Sequence, residues 1–202
     1  MLHPNFVILG VLIGSIGTLS YLIDTLNGKV KPNKISWLLW ATAPLIAFFA
    51  EIKQGVGIQS LMTFAVGAGP LLIFLASFLN KKAQWKLSKF DLTCGVLSIL
   101  GLILWYLSQD PNIAIIFSIL ADGLAAVPTL VKSYREPETE NPWAFFFGMI
   151  SAIITLLTIT IWDLAHYGFP LYIFLICLIL FITIKFKLGQ KLKLLPTGVQ
   201  PN

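Results

Sequence analysis

The sequence predicts an all-α membrane protein of seven transmembrane helices, and three observations predict it. Apolar runs of about 20 residues, the length that crosses a hydrocarbon core, recur from one end of the chain to the other. Charged residues make up only 11% of the 202 positions, where a soluble domain carries roughly 25%. Lysine and arginine gather in alternate breaks between the runs. With 57% of residues hydrophobic and a mean hydropathy of +0.85, water is not expected to be the main solvent, and 202 residues hold about seven spans only if the loops stay short, so no second, soluble domain is expected.

The spans follow in order. The first, residues 6–26, starts without a preceding Lys or Arg and runs too long for a signal-peptide core, so it stays as a membrane helix. Asn27-Gly28-Lys29 breaks it, and the second span occupies 35–50. Lys53-Gln54-Gly55 separates that span from the third, 57–79, which Asn80-Lys81-Lys82 ends. The fourth covers 87–107 and stops before Asp110-Pro111-Asn112. The fifth covers 113–131, the polar stretch 132–142 follows, and the sixth covers 143–161. His166-Tyr167-Gly168 reads as the last break, before a seventh span at 169–184. Gly, Pro and Asn punctuate these breaks because they favour turns over helix.

One alternate set of breaks holds Lys29, Lys31, Lys34, Lys81, Lys82, Lys86, Lys89, Lys132, Arg135, Lys185, Lys187, Lys191 and Lys193, and the other holds only Lys53. Positive residues resist translocation, so the rich set is expected on the cytoplasmic side, with the N-terminus outside and the C-terminus inside. The net charge of +5 and the pI near 9.3 then report topology and contact with anionic lipid, not nucleic acid. The expected location is the plasma (inner) membrane of a prokaryote.

The two halves share a pattern: a helix, a polar loop of about ten residues, and a second helix beginning with Pro or Asn followed by Trp. Two repeats of equal orientation need an odd number of helices each and one linker helix. The expected division is 1–86 as a first three-helix bundle, 87–110 as a linker helix, 111–187 as a second, parallel bundle, and 188–202 as a cytoplasmic tail, a 3+1+3 architecture.

Pro128-Thr129-Leu130-Val131-Lys132-Ser133-Tyr134-Arg135 followed by Glu140, together with Lys31-Pro32-Asn33-Lys34-Ile35-Ser36-Trp37 in the first half, resembles the proline motif, basic loop and acidic residue of the PQ-loop and SWEET superfamily of membrane transporters. The resemblance covers most of the chain as architecture and two short segments as motif. The sequence departs from it at Thr129, where the family has Gln, and at Tyr21-Leu22 in the first half. Pro44 lies in the second span and the sixth has no interior proline, so the four-proline hinge set of sugar carriers is incomplete. The resemblance implies a carrier but not a sugar.

Asp122 falls near the middle of the fifth span, where an ionisable residue costs about 2.5–3.5 kcal/mol on insertion scales. It reads as a proton-binding or substrate-binding carboxylate facing a central cavity. The plainer alternative is an Asp hydrogen-bonded to Ser15 or Thr18 across a helix seam. Trp37 and Trp40 share a helix face, as do Trp143 and Phe146. Trp37 and Trp143 suit the interfacial aromatic belt, and Trp40 and Phe146, one turn deeper, suit a cavity wall. Asn33 and Asn141 mark the two helix starts, where they cap the helix or donate to a solute. Asp122, Trp40, Phe146, Asn33 and Asn141 are thus the candidate substrate-binding set, and Pro128 and Pro44, each lacking a helix N–H, are the candidate hinges. Asp24 and Glu51 are expected to reach the interfaces, and Glu136, Glu138 and Glu140 to form a solvated loop beside Arg135. Gly10 and Gly14 suit close helix packing, and Cys94 and Cys177 core packing.

His3 and His166, the two histidines, both fall toward the outer surface, so no metal site, cofactor or histidine-based catalyst is expected, and the chain reads as a non-enzyme. The leading function is a secondary transporter or facilitator of a small polar or amphiphilic metabolite by alternating access. The alternatives are a non-transporting receptor or assembly factor, as KDEL receptors are on a similar architecture, and an intramembrane lipid-modifying enzyme. The expected partners are a small-molecule substrate and membrane lipid, with homo-oligomer formation left open.

Overall fold

A computed structural model describes residues 2–108 and 110–194. Among them are eight α-helices and no strand: α1 Phe6–Leu26, α2 Lys34–Lys53, α3 Ser60–Ala76, α4 Lys89–Ser108, α5 Pro111–Arg135, α6 Pro142–Leu157, α7 Leu164–Lys185 and the short α8 Leu188–Leu194. Four of these, α1, α2, α5 and α7, are long and apolar enough to cross a membrane, and α3 and α6 are shorter apolar helices of 17 and 16 residues.

Local chemistry sets the helix starts. At four helix starts the side-chain oxygen of an Asn or Asp N-cap accepts otherwise unpaired N–H groups of the first turn. Asn33 accepts from Ile35 and Ser36, Asp110 from Asn112 and Ile113, Asn141 from Trp143, and Asp163 from His166. Pro111 and Pro142 occupy the first helical positions, where a missing N–H costs nothing. Gly28, at φ +70°, turns the chain out of α1.

Several expected boundaries move. His166, Tyr167 and Gly168 lie inside α7, because Asp163 caps that helix five residues ahead of Gly168. The break falls instead at 158–163, and α6 ends at Leu157. α5 extends beyond its apolar run at both ends, capped by Asp110 and carried through Lys132 to Arg135. The tail contains a helix, α8; residues beyond 194 and the side chain of Lys193 lie outside the described residues.

The molecule is apolar outside and polar in several places inside. Leu12, Ile16, Leu19 and Ile23 form an exposed stripe on α1, and Leu92, Val96, Ile99, Leu100, Ile103 and Leu104 cover the outer face of α4. Exposed apolar faces of this length are unsuited to water and suited to lipid. Ser118, Asp122, Thr129, Lys132, Glu140 and Asn141 are buried.

α3 packs against both α1 and α2, and α7 against both α5 and α6; α1 also packs on α6, α2 on α5, and α4 on α5 and α2. The α1–α6 seam is close because it is built on glycine: a Cβ on Gly17 would stand 3.0 Å from the backbone of Ala144, and one on Gly10 3.2 Å from the Ser151 carbonyl.

The basic connections meet at one end. The Lys31 N–H donates to the Thr139 carbonyl at 3.0 Å, the Asn80 side chain to the Leu26 carbonyl at 2.8 Å, and Lys187 pairs with Glu138 at 2.8 Å. At the other end the Leu2 N–H donates to the Leu157 carbonyl at 2.9 Å and the Gln59 side chain to the Thr158 carbonyl at 3.3 Å. The described N-terminus and α8 therefore lie at opposite ends.

Candidate functional site

A cavity of about 430 Å³ lies midway along the helices, lined by α1, α2, α3, α5, α6 and α7. Most of its wall is aliphatic or aromatic. Asp122 is the charged residue in the lining, joined by the hydroxyls of Ser15, Thr18 and Ser151 and the thiol of Cys177.

Asp122 is buried. Its Oδ2 accepts from the Tyr172 hydroxyl at 2.6 Å, and its Oδ1, also buried, has no hydrogen-bond partner. The expected partners Ser15 and Thr18 instead bond their own helix, donating to the carbonyls of Val11 and Gly14, as hydroxyls in membrane helices do. Tyr172 was missed by sequence reasoning. The signal available was that a tyrosine within an apolar span needs a partner for its hydroxyl.

The Trp40 indole N–H donates to the Asp122 main-chain carbonyl at 3.2 Å, which fixes the indole beside the carboxylate. Trp37 also lines the cavity, packed between the tilted Tyr21 ring at 4.5 Å and the edge-on Trp40 ring at 5.2 Å, so it is a buried core residue and not part of an interfacial belt. Trp143 is exposed, with the Lys185 ammonium 4.8 Å from its ring.

Phe146 lies outside the lining, packed against Trp143, Phe147 and Phe181; its neighbour Phe145 faces the cavity and meets Trp40 edge-on at 6.2 Å. The helix caps explain the offset. Trp37 stands four residues past its cap Asn33, and four past Asn141 is Phe145. Counting from Trp37 to Trp143 misaligns the two helices by two residues, about 200° of rotation.

Asn33 and Asn141 are caps that also tie helices together, and neither lines the cavity. The Asn33 amide donates to Asp91 at 3.0 Å, and the Asn141 amide to Asp24 at 2.7 Å and Ser20 at 3.0 Å. Pro44 and Pro128 lie within unbroken α2 and α5, where each deprives one carbonyl, that of Trp40 or Leu124, of its helical N–H. Pro170 does the same within α7.

Two acids expected at the surface are internal. Glu51 is buried, with one oxygen accepting from the Thr63 hydroxyl at 3.0 Å. Glu140 is no part of a solvated loop: it pairs with Lys132 at 2.7 Å and accepts from the Tyr21 hydroxyl at 2.6 Å, and both partners of the ion pair are almost fully enclosed. Lys132 also donates to the Lys31 carbonyl and lies 4.9 Å from the Trp85 ring. This network plugs the basic end of the molecule below Trp37, while Glu136 and Glu138 remain exposed. Asp24 is half-buried, 3.6 Å from Lys29.

Such a site offers a fixed carboxylate oxygen, aromatic faces and aliphatic walls. It can bind and orient a solute, with the Tyr172 phenol on the carboxylate and the hydroxyls of Ser15, Thr18 and Ser151 and the Cys177 thiol in the same lining. No protein-family model, characterised protein or solved structure matches the chain.

Proposed function

We propose that the chain is a seven-span secondary transporter or facilitator of a small polar or amphiphilic metabolite, built as two parallel three-helix bundles with α4 as linker, and working by alternating access around Asp122. One observation carries the reading: Asp122, a buried acid with an unpaired oxygen, lines a cavity midway along helices whose outer surface is apolar. Ionisable groups at that depth are expensive and mark solute or ion pathways.

The helix pairings support the two-bundle arrangement. α3 between α1 and α2 matches α7 between α5 and α6, and exchanging the two sets turns the α1–α6 seam into the α5–α2 seam. That is the relation expected of a parallel repeat related by an axis along the membrane normal, with the site at the repeat interface. The resemblance to the PQ-loop and SWEET superfamily points the same way. On this reading the Lys132–Glu140–Tyr21 plug closes the basic, cytoplasmic end, and Pro44 and Pro128 are where α2 and α5 bend to open it. The location is the inner membrane of a prokaryote.

Purified protein in liposomes preloaded with a small-metabolite mixture provides the test. At least one solute should leave faster from protein-containing than from empty vesicles, and Asp122→Asn should slow that flux roughly tenfold or more, the loss of about one charged contact. Vesicles that exchange nothing, or flux indifferent to Asp122→Asn, would sink the proposal.

A further inference from the structure

Resting on the transporter reading, we infer that the solute is a membrane-partitioned amphiphilic amine: a cationic head on an alkyl or aryl body that reaches the cavity sideways from the bilayer between α1 and α3. The head pairs with the free Oδ1 of Asp122, and the body lies along the aromatic and aliphatic walls.

Charge selects the head. Among the described residues no Lys, Arg or His pairs with Asp122, and its only side-chain hydrogen bond, from Tyr172, uses the other oxygen. An enclosed carboxylate so placed repels anions, leaves a neutral ligand's dipole as weak compensation, and gains most from a cation that also donates N–H. Since Trp40 spends its indole N–H on the Asp122 carbonyl, what it turns to a ligand is its ring. A ring face favours a cation beside it.

The walls select the body. Besides Asp122, three hydroxyls, the Cys177 thiol and the Trp37 indole, the lining is apolar, with Met62, Ile73, Phe145, Ile173 and Leu180 among it, so its polar groups are too few to hydrate a strongly polar solute. At roughly 30 Å³ per water-sized group, 430 Å³ holds about fourteen such groups, more than a bare ammonium needs and close to a ten-carbon amine.

The lateral path rests on three side chains. Leu19 of α1 and Phe64 and Leu72 of α3 line the cavity and are also 54%, 42% and 52% exposed on the outer, apolar surface. These three side chains therefore border both the cavity and the outer surface. Toward the basic end the cavity meets Trp37, Tyr21 and the Lys132–Glu140 pair instead.

The test is equilibrium binding of radiolabelled decylamine to the full chain in phosphatidylcholine nanodiscs, corrected with protein-free discs, alongside decanol and butylamine as competitors. Decylamine should bind saturably, and decanol, which lacks the charge, and butylamine, which lacks the body, should each compete at least tenfold more weakly. Asp122→Asn, which keeps the Tyr172 contact, should abolish the preference for amine over alcohol. Leu19→Trp should slow decylamine association severalfold with little change at equilibrium. Equal competition by decanol in the parent protein overturns the amine, a result that needs no variant; competition by butylamine as strong as decylamine overturns the amphiphile; unchanged association in Leu19→Trp, with binding intact, overturns the lateral path. Decylamine bound through Asp122 but never moved across vesicles supports this inference and removes the transporter reading. A hydrophilic solute carried in an Asp122-dependent way, with decylamine neither binding nor competing, does the reverse.

Discussion

Lys132 and Glu140 show how much a buried pair demands of its surroundings. Each ion taken from water loses several kcal/mol of hydration, recovered only where geometry is good and the remaining hydrogen-bonding positions are filled. Here they are filled: Glu140 takes the Tyr21 hydroxyl on its second oxygen, and Lys132 donates to the Lys31 carbonyl beside the Trp85 ring. Removing one partner strands the other, so Glu140→Leu or Lys132→Met alone should cost about 3–5 kcal/mol of stability, whereas the two changes combined should cost clearly less than the sum. Denaturant titration in detergent micelles checks both; additive losses would mean that the pair is not coupled. A lone acid in an apolar run makes Asp122 legible in the sequence, because nothing nearby can excuse its expense. Glu140 is not legible in that way. It follows Glu136 and Glu138 in a loop of solvated appearance, and only the arrival of Tyr21 from 119 residues away tells it from them. Tyr172 and Glu51 were hidden for the same reason, that partners on another helix leave no local trace.

Among the elements, α1 could be read to the residue, since its apolar run and its helix coincide at Phe6–Leu26. Elsewhere polar caps and charged ends are part of the helix, and apolarity alone misplaces the edge. α7 begins five residues before its purely apolar stretch, and the cap spacing that seats Phe145 rather than Phe146 opposite Trp40 is invisible to a search for aromatic pairs. The short α8 has no apolar span to announce it. It is held by contacts: Glu138 accepts from both Lys187 at 2.8 Å and Gln190 at 2.9 Å, and Gly189 lies so close to the Tyr134 carbonyl that no side chain fits there. Those two hydrogen bonds, with the Lys187 charge, hold the Glu138 carboxyl down at about 2. A carboxylate whose folded pKa is depressed contributes stability above its ordinary value and loses it as pH falls through the depressed one. The clamp on α8 should therefore persist below the usual carboxylate range. A nitroxide at position 191 should stay immobile down to about pH 3, and Glu138→Gln should release it at neutral pH; mobility that rises near the ordinary glutamate pKa would show the clamp to be elsewhere. Both groups are exposed, so the effect on global stability is small and salt-sensitive.

At the scale of the molecule, the decisive property is that the pattern of exposure is reversed relative to a protein built for water. Leucine, isoleucine and valine face outward on α1 and α4, while Asp, Asn, Ser, Thr and one Lys–Glu pair are enclosed. Composition foretold the solvent, but not that the polar groups would meet across helices from distant parts of the chain. The lysine distribution foretold more: every connection it marked as alike is found at one end, in contact with the others, and Lys53 stands with the opposite connections. If α3, α4 and α6 cross the bilayer as α1, α2, α5 and α7 can, the number of crossings is odd. At 1.5 Å per residue, the 16 residues of α6 reach about 24 Å, short of the roughly 30 Å hydrocarbon core, so its crossing requires local thinning or the flanking apolar residues Ile159 and Ile161. Odd crossing and basic cytoplasmic connections together fix what reporters must read. A phosphatase fused ahead of residue 2 should be active outside, and a fluorescent protein fused after residue 194 should mature inside. Cysteines placed at Lys81 and at Gln59 should be labelled by an impermeant maleimide from opposite sides of the membrane. Both fusions reporting one compartment would make the crossings even, reverse one half of the molecule relative to the other, and leave Asp122 on a seam with no parallel repeat around it.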